Sequence, residues 1–71
     1  MITVTKVKTR SGLEFYVKED DFYIRTKSTK DRFINLTVVI YASIDFEVIQ
    51  SQSSEFFHID EIIWFKTKYI K

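Results

Sequence analysis

The chain has 71 residues, 45% hydrophobic and 30% charged, with a formal net charge of +1, one glycine, one histidine and no cysteine or proline. That inventory excludes a disulfide framework and a thiolate zinc or iron–sulfur site. The lone histidine, His58, cannot supply a multi-histidine metal cage, and the lone glycine, Gly12, cannot build a phosphate-cradling loop, which needs several positions where bare backbone meets the anion.

Below ~70–80 residues one core rarely supplies more than about 3–5 kcal/mol, so a small chain needs a staple, dense packing or association. Here seven Phe, four Tyr and Trp64 provide the packing, since aromatic side chains bury the largest areas. One domain spanning residues 1–71 is expected, with no cofactor, and a homo-oligomer is expected to supplement its small core. The opening Met1-Ile2-Thr3-Val4-Thr5-Lys6 alternates polar and apolar residues and lacks a secretory apolar stretch. The longest mostly apolar stretch, Leu36 to Ile44, falls far short of the ~20 residues of a membrane helix. A cytoplasmic protein without a membrane partner is therefore expected. Ile, Lys, Phe and Tyr make up 29 residues against 2 for Ala, Gly and Pro. Such a bias toward AT-rich codons points to a low-GC bacterium or one of its phages.

The dominant period is two. Thr3, Thr5 and Val7 alternate with Ile2, Val4, Lys6 and Lys8, the pattern of a half-buried strand. Arg10-Ser11-Gly12 supplies a turn whose glycine is free to take positive φ. Leu13, Phe15 and Val17 then alternate with Glu14, Tyr16 and Lys18, completing a hairpin. Glu19-Asp20-Asp21 is a polar break, followed by a short alternating run from Phe22 to Lys27 and a loop over Ser28-Thr29-Lys30-Asp31. Phe33 to Ala42 is rich in β-branched and aromatic residues and predicts a strand. Its even positions, Ile34, Leu36, Val38, Ile40 and Ala42, are expected to face the core; the odd face is also largely apolar, so the strand is central, bent across two layers, or used at an interface. Ser43-Ile44-Asp45 reads as a tight connection, Phe46 to Ser51 as a strand, Gln52-Ser53-Ser54 as a polar loop and Phe56 to Asp60 as a short strand. Glu61 to Ile70 closes the chain. Its Ile-Ile-Trp-Phe and Thr-Lys-Tyr-Ile runs favour a strand over the helix that Asp60 and a stripe of isoleucines also permit.

Five to seven short strands make an all-β, antiparallel domain: a small SH3-like or Sm-like barrel, which hides strand edges by closure, or a strongly bent sheet. Ile2-Thr3-Val4-Thr5 through Gly12-Leu13-Glu14-Phe15 resembles the first hairpin of the Sm-like family of SH3-like barrels. Phe57-His58-Ile59-Asp60-Glu61-Ile62-Ile63-Trp64-Phe65 resembles that family's last two strands, joined by a short turn. The resemblance implies a barrel topology with the first and last strands as neighbours. RNA-binding members carry an Asp and an Asn near the third strand and an Arg-Gly before the final turn. Here His58, Ile59 and Asp60 stand where the Arg-Gly falls, and residues 20–27 hold no matching Asp-x-x-x-Asn.

Charge is sorted into blocks: +3 over residues 1–10, −3 over 11–24, +3 over 25–32, −5 over 33–65 and +3 over 66–71. If the first and last strands are neighbours, Lys6, Lys8, Arg10, Lys66 and Lys68 gather near Trp64. Such a patch suits single-stranded nucleic acid, because cations track phosphates while a ring stacks on a base; Tyr16 and Tyr23 lie where they can extend it. The acidic residues Glu19, Asp20, Asp21, Asp45, Glu47, Asp60 and Glu61 suit a basic protein partner or mimicry of a phosphate array, the mode of small phage regulators that inhibit host proteins. Basic and acidic faces of adjacent copies can also join head to tail. Residues of both types also serve simply as solvated faces. His58 with Asp60 or Glu61 lacks an activated nucleophile, so no enzymatic role is expected. The expectation is a non-enzymatic module that recognises a protein partner, with single-stranded nucleic-acid binding as the alternative.

Overall fold

Alternating β-branched residues extend Ile2–Thr9 into strand β1, and the turn through Gly12, at φ 90°, returns the chain as β2, Glu14–Val17. Thr9 accepts the Gly12 N–H and donates its own to the Leu13 carbonyl, closing the hairpin as expected. The computed structural model describes residues 2–28 and 32–70; of the loop expected over residues 28–31, Ser28 ends a helix and 29–31 lie outside the described residues.

The chain next departs from the expected alternation. Asp21–Ser28 is a helix, α1, where residues 22–27 read as a strand. The reason is local. The Asp20 carboxylate accepts the Tyr23 N–H at 2.8 Å, and the Ile24 N–H reaches the Asp20 carbonyl at 3.1 Å, so Asp20 caps the first turn. Asp21 at the start and Arg25 and Lys27 at the end complement the helix dipole. Phe22 and Ile24 look like alternate residues of one strand face, but the helix buries only Ile24 and leaves Phe22 exposed.

Strands β3, Phe33–Tyr41, β4, Ile49–His58, and β5, Ile62–Ile70, complete a five-stranded antiparallel sheet in the order β4-β3-β2-β1-β5. The strand expected over the last segment forms. The sheet does not close into a barrel: β4 and β5 are its two edges, so of the two expected architectures the open one forms. A single 3-10 turn, Ile59–Glu61, joins these edge strands, with the His58 ring accepting the Asp60 N–H at its start. The expected break at Gln52-Ser53-Ser54 is instead the middle of β4, paired with Val39, Val38 and Thr37. Polar side chains are tolerated there because the first eight residues of this edge strand are exposed. The segment from Phe46 to Val48 lies in the β3–β4 connection, outside any strand.

The core lies between one sheet face and α1. Val7, Val17, Ile34 and Leu36 from the sheet meet Ile24 from the helix, flanked by Phe15, Val38, Phe57, Ile59, Ile62 and Phe65. Phe15 stacks on Phe57 at 5.1 Å between centroids. β3 changes its buried face along its length: Ile34 and Leu36 are buried, then Val39 takes over while Ile40 is 55% exposed. The expected all-even core face therefore holds at Ile34, Leu36 and Val38 and fails at Ile40, as the strand's two-sided apolar pattern foreshadowed. Thr5 is buried too, satisfied by the Thr67 hydroxyl at 2.7 Å, which also accepts the Asp21 N–H.

Candidate functional site

The face of the sheet opposite α1 carries the even residues of β1 and, beyond the register shift near its start, Trp64, Lys66 and Lys68 of β5. Their register sets Lys6 against Lys66, Lys8 against Trp64 and Val4 against Lys68. Directly opposed side chains lie about 4.5–5.5 Å apart at Cβ, so the two terminal basic segments, separated by most of the chain, form one stripe. Across the sheet Tyr16 of β2 stands opposite Lys6, with the ammonium 5.9 Å from its ring centre. Lys6 also pairs with Glu14 at 3.2 Å. Among the described residues, Lys66 and Lys68 have no carboxylate partner. Like charges placed directly opposite each other destabilise a sheet, and the Glu14 carboxylate beside Lys6 offsets part of that repulsion.

Between these lysines runs a groove of about 230 Å³, lined by Val4, Lys6, Tyr16, Phe46, Trp64, Lys66 and Lys68. Val4, 3% exposed, forms its apolar floor, and Trp64, 41% exposed, leaves part of its indole open to solvent. The far wall comes from the β3–β4 connection. Phe46 adopts φ 63°, an uncommon conformation for a residue with a side chain. Its ring packs edge-on to Tyr16 at 5.3 Å and to Tyr41 at 5.0 Å, and the two tyrosines meet at 5.6 Å. This cluster covers Val39. Burial, and secondarily Tyr16, pushes the Tyr41 hydroxyl up from its ordinary pKa, so it stays neutral here. The connection is stitched by its own side chains. Asp45 accepts the Glu47 N–H at 3.2 Å, and Ser43 Oγ accepts the Val48 N–H at 3.1 Å. The Ser43 hydroxyl first, then the Glu47 N–H, hold the Asp45 carboxyl below its ordinary range.

The other expected site residues scatter. Arg10 is not in the groove. Its Nε donates to the Asp60 carbonyl at 2.6 Å and its backbone N–H to the Glu61 carbonyl at 2.8 Å, tying the β1–β2 turn to the 3-10 turn. Lys8 adjoins Trp64 without lining the groove. Tyr23 lies on α1, across the sheet from the lysines, with Lys27 over its ring at 6.0 Å. The acidic residues form no common face. Glu19 accepts the Thr37 N–H at 2.8 Å and its hydroxyl at 2.9 Å, Asp20 caps α1, and Asp21 pairs with Arg25 at 3.6 Å. Asp45 and Glu47 occupy the β3–β4 connection, at the opposite end of that hairpin from Asp60 and Glu61. His58 caps the 3-10 turn and meets the Phe33 ring edge-on at 5.0 Å. Among the described residues no three His, Asp or Glu side chains gather as a metal site would require.

Phe46 and Tyr41 are the site residues that strand parity missed. Parity assigns Phe46 to a strand, and only the Ser and Asp that precede it, both turn formers, signal otherwise. No helix among the described residues is long and apolar enough to cross a membrane. No protein-family model, curated protein or solved structure matches the chain, so the fold and groove stand as the guides to its class: a small all-β protein with a basic, aromatic-walled cleft.

Proposed function

We propose that the protein binds single-stranded nucleic acid along the groove between β1 and β5. The observation that carries this reading is the convergence of Lys6, Lys66 and Lys68 around the half-exposed Trp64. Cations at strand spacing track a phosphate backbone, and an indole face stacks on any base without reading its identity. The adjacency of the first and last strands is what sets the lysines beside Trp64. The Sm-like resemblance implied that adjacency together with a closed barrel, and only the adjacency is found. The groove, however, uses none of the RNA-binding residues of that family.

Fluorescence anisotropy with a labelled oligothymidylate tests the proposal. Three lysines predict a log–log salt slope of about −2, from ~0.7 per phosphate neutralised on a single strand. Trp64→Ala is expected to weaken binding by about 1–3 kcal/mol, the worth of one stacked base. No binding of the wild type at low salt overturns the reading.

A second reading, recognition of a protein partner by a regulator of the kind phages and other mobile elements encode, rests on a different place. At the tip of the β3–β4 connection Ile44 is 99% exposed, near exposed Ile40 and Val48 and beside Asp45 and Glu47. Solvated apolar side chains ringed by acids suit a basic amphipathic partner.

A further inference from the structure

β4 is a sheet edge without the devices that guard most edges. It pairs with β3 on one side, and its other side has no strand partner among the described residues. Edges are usually kept apart by shortness, lysine, proline or a bulge. β4 runs ten residues and holds no lysine, arginine or proline; Glu55 is its single charged residue. The register shift opposite Ile40 and Tyr41 falls at its first residues, leaving Ser51 to His58 in an unbroken ladder. β5, the other edge, carries Lys66 and Lys68, which oppose pairing and belong to the groove.

We infer that two copies of this chain join through antiparallel β4–β4 pairing, related by a two-fold axis at Ser54. An axis perpendicular to the sheet keeps each face on its own side, so only residues of equal parity stand opposite each other. Centring on Ser54 uses the unbroken ladder and sets Gln52 against Phe56 and Ser53 against Glu55 of the second copy. Centring on Glu55 opposes the two carboxylates, which like-charge repulsion disfavours. The contact is isologous and closes at two copies. It continues the five strands into ten, places both α1 helices on one face, and opens both grooves on the other.

The test is the solution mass of the full chain at micromolar concentration, by light scattering or sedimentation, with far-UV circular dichroism to confirm folding of each variant. The wild type is expected at twice the monomer mass. Ser53→Glu places like charges opposite each other twice and is expected to raise the dissociation constant about tenfold or more, whereas Ser53→Lys faces Glu55 twice and is expected to leave it equal or lower. A monomeric wild type overturns the inference, as does a Ser53→Glu variant that associates like wild type. Ser53→Lys weakening association as strongly as Ser53→Glu also overturns it, because the proposed register requires opposite effects.

Discussion

Glu19 illustrates how a residue that reads as surface charge becomes structural. Its two carboxylate oxygens take the N–H and the hydroxyl of Thr37, while the Lys18 N–H reaches the Thr37 carbonyl. One side chain thereby continues the β2–β3 pairing past the last residue of β2. A hydrogen bond to a charged group contributes about 1.5–3 kcal/mol, less where water competes. Glu19→Ala is therefore expected to cost about 1–2 kcal/mol in urea unfolding, and a loss within ±0.5 kcal/mol, the usual surface range, would refute the structural role. Asp20 and Asp21 are likewise engaged, one capping α1, the other giving its N–H to Thr67 and its carboxylate to Arg25. A run of three acids in a sequence carries no mark that distinguishes these uses from a solvated face, because each depends on a partner distant in the chain or on the helix that follows.

At the scale of elements, the β3–β4 connection couples a titrating group to the groove. Residues in the left-handed region cost about 1–2 kcal/mol each, and Phe46 holds that conformation because its ring is seated against Tyr16 and Tyr41 and the turn beneath it is fixed by Asp45 and Ser43. The Asp45 pKa is depressed in the fold relative to the unfolded chain. Its contribution to stability is thus fully present above the ordinary aspartate pKa and is lost as pH falls through the lower, folded value. On acidification below the ordinary aspartate range, the Phe46 ring signals in proton NMR are expected to move toward random-coil positions before the core methyl signals of Val7 and Leu36 change. Asp45→Asn should abolish that early transition; an unchanged transition in the variant would assign it to another group. The helix α1 teaches the same lesson at this scale. Eight residues with one buried side chain among those described have no apolar stripe to betray a helix, and the signal present, an aspartate three residues before a capped N–H, is short and common.

For the whole molecule, the small core makes the buried apolar contact of the helix decisive. Ile24 is fully buried and is the residue by which α1 joins the sheet core. Removing its branched side chain costs about 2–5 kcal/mol, comparable with the about 3–5 kcal/mol expected of an unstapled core this small. Ile24→Ala is expected to be largely unfolded at room temperature by circular dichroism, while Phe22→Ala, on the exposed side of the same helix, melts with the wild type. Equal melting of the two variants would show that α1 is dispensable to the core.

The sequence by itself determined the all-β class, the first hairpin with its glycine turn, a strand from Phe33 and the block arrangement of charge, and it favoured a strand over a helix for the closing segment. These follow from period-two alternation and turn chemistry, which act between near neighbours in the chain. The lysine and tryptophan pairing across β1 and β5 was legible only once those strands were taken as neighbours, the step that the family resemblance supplied. Tertiary structure alone decided that the sheet stays open, that Gln52-Ser53-Ser54 is strand, that Arg10 leaves the basic patch, and that Phe46 enters its wall. Each of these depends on which distant residue stands opposite, or on how far a face is covered. Those are properties of register and packing, and local alternation does not encode them.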